Sequence, residues 1–421
     1  MNIAVIGSGG REHSICYKLK QSNKINRLYC IPGNAGTSEI SENIEIDPND
    51  FEKIYQTVLK KKIDLLIVGP EIPLVNGIVD FFEKKNIKIF GPNKKASQIE
   101  GSKIFMKEFC EEFNIPSAKF KKIKNINQAK DIIKDFELPI VVKSDGLASG
   151  KGVTICNSRK KAIEEIDKIL KGKFKTSKKV IIEEFLKGEE ASYFVISDGN
   201  NFVPIGTAQD HKRIGENDTG LNTGGMGAYS PSYLINNEIE KKIKNKIITP
   251  TINGMRKKGY PFKGILYAGL MIYNSEPKLI EYNIRFGDPE CQILMMRLRN
   301  DLLNLILSSV NNNLKKEKLI WTNEPGITVV AASKGYPEKF EKNYEITNIK
   351  KIKFNSKRQL FHAGTIKKNN KILSNGGRVL NATVVSSSLS KARKIALDIL
   401  NKIKFKNKYF RKDIGYKVID R

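Results

Sequence analysis

Glu281-Tyr282-Asn283 closes an apolar run, and alternation along an extended chain puts residues 281 and 283 on one face. A carboxylate beside an amide oxygen suits Mg²⁺, a hard cation that shares its oxygen ligands with substrate phosphates. Arg285 keeps the same parity if the chain stays extended. A guanidinium there stabilises charge on a transferring phosphoryl group, or clamps a carboxylate in a two-pronged fork. A solvent-facing polar strand end is the plainer alternative, and the flanking apolar residues count against it. Upstream, Lys143 ends the apolar run 138–143 and leads into a glycine-rich stretch from Gly146 to Gly152. That stretch is not a P-loop: three residues rather than four separate Gly146 from Gly150, and glycine follows Lys151. It joins two apolar runs, so it reads as a hairpin able to fold over ATP phosphates, with Lys143 aimed at them as a point charge. Taken alone, the hairpin is equally a surface turn.

A second glycine-rich turn opens the chain: Gly7-Ser8-Gly9-Gly10-Arg11-Glu12. A dinucleotide fingerprint needs glycine where Glu12 stands, so that the helix can pack on the strand. The second apolar run ends in Cys30-Ile31-Pro32-Gly33-Asn34, without an acidic residue to hold a ribose. Both features argue against NAD. The turn's N–H groups can still cradle a phosphate, or the glycines simply make the turn; the two readings stand level. No nucleophile constellation is visible. Cys16, Cys30, Cys110, Cys156 and Cys291 form no C-x-x-C, and His13, His211 and His362 form no H-E-x-x-H. Isolated thiols and imidazoles are expected, without a disulfide framework or a zinc site.

The elements that must position these groups follow from periodicity. Short apolar runs at 3–6, 64–68 and 88–90 each end in a glycine-containing turn, with helical patterns between them. Phe51, Ile54, Tyr55, Val58 and Leu59 mark one such helix. This is a doubly wound parallel sheet, whose ligands sit beyond the carboxyl ends of the strands. Ser102 caps a helix through residue 113. Strands at 138–143, 153–156 and 180–185, with a helix ending at Gly172, make a small α+β lobe. Residues 206–232 read as a loop-rich centre. A helix over 237–257 and strands at 264–273 and 277–282 follow. Residues 311–316 read as a polar surface stretch near a boundary. The last hundred residues mix strands (328–332, 378–385) with a helix over 390–403.

With 421 residues, two to four domains are expected. Hydrophobic residues make 40% and charged residues 28%, which fits a globular chain and not a disordered one. No run approaches a membrane span, and the apolar start is too short for a signal-peptide core. A cytoplasmic location is expected. Lys and Arg outnumber Asp and Glu by 74 to 45, a net charge of +29. That raises nucleic-acid binding, but the lysines are scattered and no aromatic-interleaved basic motif is present. Coding bias, or a field suited to small anions, accounts for the charge as well.

These motifs, in order, resemble the phosphoribosylamine–glycine ligase (glycinamide ribonucleotide synthetase) family of ATP-grasp enzymes. The resemblance covers essentially the whole chain. It is carried by G-G-R-E-H (9–13), P-G-N-A-G-T (32–37), G-P-E-x-P-L (69–74), G-S-K (101–103) and K-S-D-G-L-A-S-G-K-G-V (143–153). Further on stand E-E-F-L-x-G-E-E-A-S (183–192), Q-D-H-K-R (209–213), N-T-G-G-M-G-A-Y-S-P (222–231), N-x-R-F-G-D-P-E (283–290), F-H-A-G-T (361–365) and N-G-G-R-V-L (375–380).

The resemblance implies ATP-driven joining of glycine to 5-phosphoribosylamine through a glycyl phosphate, in purine biosynthesis. The fold it implies is α/β and α+β multidomain. An N-terminal doubly wound domain (1–101) would precede an ATP-grasp domain (102–320, lid lobe about 121–182) and a C-terminal mixed α+β domain (321–421). Lys103 and Lys143 resemble the lysines that hold ATP phosphates. Gly146, Ser149, Gly150, Lys151 and Gly152 belong to the lid. Glu183, Glu184, Phe185 and Leu186 resemble the adenine hinge, and Glu190 the ribose ligand. Glu281 and Asn283 resemble the Mg²⁺ (or Mn²⁺) ligands, and Arg285, with Lys143, the catalytic cations. Gly9, Gly10, Arg11, Asn34 and Glu71 would face phosphoribosylamine, and Asp210, Lys212 and Arg213 the glycine side. Where many ATP-grasp enzymes carry a third metal ligand stands Ala268-Gly269-Leu270. A monomer or weak oligomer with small-molecule substrates, away from membranes and nucleic acid, is the expected state. A basic nucleotide- or nucleic-acid-binding protein on an ATP-grasp scaffold is the alternative.

Overall fold

The computed structural model describes residues 1–147, 152–173 and 178–419; Ser149, Gly150 and Lys151 of the expected lid lie outside that set. Its N-terminal sheet is wholly parallel, in the order Glu42–Asn43, Arg27–Pro32, Asn2–Gly7, Leu65–Val68, Lys88–Phe90. The central strand is buried on both faces, which is why Ile3, Ala4, Val5 and Ile6 run on without a polar residue. Strand order reverses beside Asn2–Gly7, so the turn after it and Gly69–Glu71 share one sheet edge.

A second sheet is antiparallel, in the order Phe120–Ile123, Val180–Glu184, Ile140–Ser144, Val153–Cys156. With the helices Ile126–Ile132 and Arg159–Leu170 it encloses an apolar core of its own, including Val142, Ile166 and Ile182. This is the small lobe expected from periodicity.

The largest sheet crosses the expected boundary at residue 320. It runs from Glu276–Asn283 through Lys263–Tyr273, Glu189–Asp198, Phe202–Asp210 and Gly227–Ser230 into Gly326–Ser333, Arg378–Val385 and Arg358–His362. The Ala228↔Thr328 register joins the two parts as one surface. The stretch 206–232 is therefore not mainly loop. Its strands escape a hydrophobic pattern because their buried polar groups satisfy one another: Tyr229 bonds Gln209, and the Ser230 hydroxyl donates to the Thr207 carbonyl at 2.6 Å. Two short strands, Arg213–Gly215 and Thr219–Asn222, pair only with each other and stand out as a ribbon. The stretch 311–316 is not wholly surface either, since Leu314 is fully buried. The expected helix over 237–257 forms, with a π segment at Lys244–Ile248 just before Pro250. Among the described residues, no helix is long and apolar enough to cross a membrane.

Candidate active site

Three elements bring the first charges together. Ser102 caps the helix Lys103–Glu112, its hydroxyl accepting from the Phe105 N–H. Asp145, just past the strand Ile140–Ser144, accepts from the Ile104 N–H at 3.1 Å and from the Ser102 hydroxyl at 3.0 Å. The loop and the helix N-terminus are thus tied, and Lys103 Nζ reaches the Gly146 carbonyl at 2.8 Å. Gly146 sits at φ +82°, where a side chain would strain the backbone. Burial lowers the Lys103 pKa, opposed by the nearby Glu281 carboxylate. Lys143 Nζ lies 2.8 Å from Glu183 Oε2, with Lys107 Nζ at 3.9 Å on the same carboxylate. Glu183 is buried, and its Oε1 has no hydrogen-bond partner among the described residues. Glu184 behaves differently from the expected hinge residue: its N–H is bonded to the Lys119 carbonyl and its carboxylate accepts from the Lys119 N–H. Phe185 and Leu186 lie past the strand end, with Phe185 exposed.

The edge strand Glu276–Asn283 buries Tyr282 and turns Glu281 and Asn283 to the other face, as alternation requires. Gly269 lies opposite Glu281 in the register, and Tyr267 opposite Asn283. A Cβ on Gly269 would stand 3.5 Å from the Glu281 side chain, in ordinary van der Waals contact. Among the described residues, Glu281 and Asn283 have no side-chain hydrogen bond or ion pair, and no cluster of three or more acidic, His or Cys ligands forms. A site on this pair draws its remaining ligands from phosphate and water.

Arg285 lies at a junction. Its Nε is 2.8 Å from Glu71 Oε2, across the boundary to the N-terminal sheet edge, and its Nη2 is 3.3 Å from Glu100 Oε1. Its Nη1 donates to the Phe286 carbonyl at 3.1 Å. The Arg285 charge lowers the Glu71 pKa to about 2. Burial raises that of Glu100 to about 7, even though Glu100 also accepts the Ile284 N–H at 2.7 Å. Glu100 went unnoticed in the sequence, where it is only the residue before G-S-K.

Register extends these groups across the sheet. Glu190 is in the strand next to Lys263–Tyr273, and Asp210 ends the strand beyond it. Lys212 Nζ contacts Glu190 Oε2 at 2.7 Å, and its charge lowers the Glu190 pKa. Burial opposes the Lys212 charge, but Glu190, Tyr267, Glu281 and Asp210 together raise its pKa. Asp210 Oδ1 is buried without a partner. Burial and the neighbouring Glu290 push the Asp210 pKa up. Glu290 was quoted within a motif but given no role. Arg213, expected beside Asp210 and Lys212, instead turns into the ribbon and donates to the Gly220 carbonyl at 2.8 Å.

The N-terminal turn also differs from expectation. Glu12, which spoils the dinucleotide motif, accepts the Gly9 N–H at 2.6 Å and pairs with Arg11 Nε at 2.7 Å. Its carboxylate thus occupies the helix N-terminus that a phosphate would use. Arg11 Nη1 donates to the Phe286 carbonyl at 3.0 Å, and the Arg11 backbone N–H to Asp288 at 3.4 Å. Gly10 is a packing residue, since a Cβ there would meet Asn381 and Gln292 at 2.5 Å. The Asn34 amide donates to the Ser8 and His362 carbonyls and accepts from the Gly36 and Thr37 N–H groups. Of the five residues expected around phosphoribosylamine, Glu71 pairs directly with Arg285, and Arg11 shares the Phe286 carbonyl with Arg285 and adds its charge to Glu71.

Comparison with known proteins gives three family matches in sequence. The phosphoribosylglycinamide synthetase N domain matches residues 1–100, its ATP-grasp (A) domain residues 101–291 and its C domain residues 326–417. A phosphoribosylamine–glycine ligase of Brucella melitensis is 44% identical over 100% of this chain and 99% of its own length. A crystal structure of phosphoribosylamine–glycine ligase from Thermotoga maritima matches with a TM-score of 0.86 at 32% identity, over 98% of this chain and 100% of that one. The biotin carboxylase domain of Hydrogenobacter thermophilus 2-oxoglutarate carboxylase, solved with MgADP, shares the fold at 15% identity, with a TM-score of 0.75 over 97% of this chain and 91% of that one.

Proposed function

The chain belongs to the phosphoribosylglycinamide synthetase family, and from that premise we propose how its own residues carry out the reaction. It is an ATP-dependent ligase that joins 5-phosphoribosylamine and glycine to give glycinamide ribonucleotide, ADP and phosphate, in purine biosynthesis. The observation that carries the residue assignment is the meeting of Lys103, Lys143, Glu281, Asn283 and Arg285 from three separate segments. They converge where the ATP-grasp and N-terminal parts touch.

In this reading Lys103 and Lys143 hold ATP phosphates, and Lys143 exchanges its Glu183 partner for phosphate oxygen. The free Glu183 Oε1 supports a nucleotide fit: a buried acceptor beside Phe185 and Leu186 suits the exocyclic amine of adenine. Glu190 takes the ribose. Glu281 and Asn283 hold Mg²⁺, or Mn²⁺, which neutralises phosphate charge when bound. Asp210, buried beside Glu290 with one oxygen free, takes the glycine ammonium, whose charge relieves the repulsion between the two carboxylates. The glycine carboxylate then attacks the γ-phosphorus, the bridging P–O bond breaks and ADP leaves. Arg285 meets the charge that collects there. The phosphoribosylamine nitrogen next attacks the acyl carbon, the C–O bond to phosphate breaks, and the nitrogen releases its proton as the amide forms. A monomer or weak oligomer in the cytoplasm completes this reading.

The test is ADP release with glycine and phosphoribosylamine each omitted in turn, in the parent and in Asp210→Asn. Release that needs glycine, together with a glycine KM raised by Asp210→Asn at unchanged ATP affinity, is expected. Release independent of glycine would reject the order of steps. An unchanged glycine KM would move the ammonium away from Asp210.

A further inference from the structure

Lys212 stands at the base of the ribbon formed by Arg213–Gly215 and Thr219–Asn222, and that ribbon pairs with no other sheet. An isolated two-stranded ribbon is marginal in water. This one is clasped by the C-terminal segment. The Tyr409 hydroxyl donates to the Ile214 carbonyl at 2.9 Å, the Lys412 N–H to Glu216 at 3.1 Å, and Lys417 Nζ pairs with Asp218 at 2.9 Å. The centre of the clasp is Arg411, fully buried and with its guanidinium engaged on every side. Its Nε and Nη2 fork onto Asp413 at 2.8 and 2.7 Å, and its Nη1 donates to Asp218 at 2.9 Å and to the Arg213 carbonyl at 3.0 Å. Asp413 in turn accepts the Asn217 N–H at 2.7 Å.

The clasp grips both neighbours of Lys212. On one side the Arg213 carbonyl is held by Arg411. On the other, the Gly415 N–H donates to His211 Nε2 at 3.0 Å. Residues 211 and 213 share one face of an extended chain and residue 212 takes the opposite one. There Lys212 meets Glu190, while its own carbonyl accepts from Thr223. A segment some 200 residues downstream therefore sets the direction of the Lys212 side chain.

We propose that Arg411 is a positioning residue for glycine activation, acting through the 211–213 backbone to hold Lys212 in place. The proposal rests on the glycine site assigned above. It predicts a defect in glycine use larger than any in ATP binding, because Lys103, Lys143 and Glu183 lie on elements the clasp does not touch and only Glu190, the ribose ligand, meets Lys212.

The test uses the full-length enzyme. Arg411→Lys keeps a charge but loses the fork. It should raise the glycine KM about tenfold, within the range of couplings inside one network, and lower the affinity for MgATP measured by calorimetry by a smaller factor, through Glu190 alone. In a Lys212→Ala background, the same substitution should add nothing further. An unchanged glycine KM, or an equal further loss in the Lys212→Ala background, would overturn the proposal; the second result would leave Arg411 a general structural residue. If Arg411→Lys does not fold, Asp413→Asn opens the same fork and is read by the same two criteria. Failure of the glycine site itself is distinguishable: Asp210→Asn and Lys212→Ala would then leave the glycine KM unchanged, whatever Arg411 does.

Discussion

Arg285, proposed above as a charge for chemistry, is the only cation paired with two neighbouring carboxylates among the described residues at this junction. Removing it leaves the repulsion between Glu71 and Glu100 opposed by the weaker Arg11 charge on Glu71. Arg285→Ala should therefore cost about 3–5 kcal/mol of stability, the usual penalty for stripping one partner from a buried pair. It should also slow glycine-dependent turnover by about 10²–10³-fold when assayed well below the melting point. Denaturant titration and single-turnover kinetics separate the two effects; parent-like stability would mean that the two carboxylates do not need the guanidinium. Glu100 adds a pH dependence of definite sign. Its folded pKa is about 7, above the ordinary carboxylate value, so the folded state holds a proton that the unfolded state has lost. Its effect is absent below about pH 4.3 and grows into a loss of stability as pH rises to 7. Glu100→Gln should gain on the parent across that window, by up to about 3 kcal/mol. A difference between the two that stays flat with pH would sink this account.

The element that matters most is the N-terminus of the helix Lys103–Glu112. Asp145 is not part of that helix, yet it supplies a cap to it and so fixes the approach of the Gly146 loop. Two functions meet in one carboxylate. Asp145→Ala should cost about 1 kcal/mol as a lost cap. It should also weaken ATP binding, because Lys103 and Gly146 lose their common anchor. Urea melts and ATP titration check the two halves independently, and normal ATP affinity would reduce Asp145 to a cap alone. Glu12 follows the same logic at the other end of the site. Sequence spacing identifies it as the residue that spoils a dinucleotide turn, and the structure makes it the acceptor for the Gly9 N–H at the helix N-terminus.

At the scale of the whole molecule, the three parts are joined by buried polar residues as well as by apolar cores. His13 and His362 meet where the N-terminal helix Gly10–Leu19 touches the C-terminal strand Arg358–His362, the His362 N–H donating to His13 Nδ1 at 2.8 Å. His211 joins the ribbon to the C-terminal segment. Burial lowers all three pKa values, to about 4 for His211 and His362. A histidine with a depressed folded pKa contributes stability that is present above about pH 6.5 and lost as pH falls towards 4. With only three histidines in the chain, a histidine-labelled sample gives a resolvable NMR titration. No imidazole should titrate between pH 7.5 and 5.5 in the folded protein. A resonance with a midpoint near 6.5 would show that its ring is in water.

Local chemistry was legible in the chain itself. Alternation placed Glu281 and Asn283 on one face, Ser102 declared its helix, and the apolar runs announced the parallel sheet, because side-chain period and capping depend on neighbours a few residues away. Motif order carried the family for the same reason: each glycine or lysine serves a short stretch of backbone. What the periodicity did not contain is who meets whom. Arg285 finds Glu71 across 214 residues, and Arg411 finds the Arg213 carbonyl across 198. Asn34, read as a substrate ligand, is consumed by its own loop and by His362. These partnerships depend on strand order and on how three cores close against one another, so that a charge acquires its role from the carboxylate or carbonyl that the fold delivers to it.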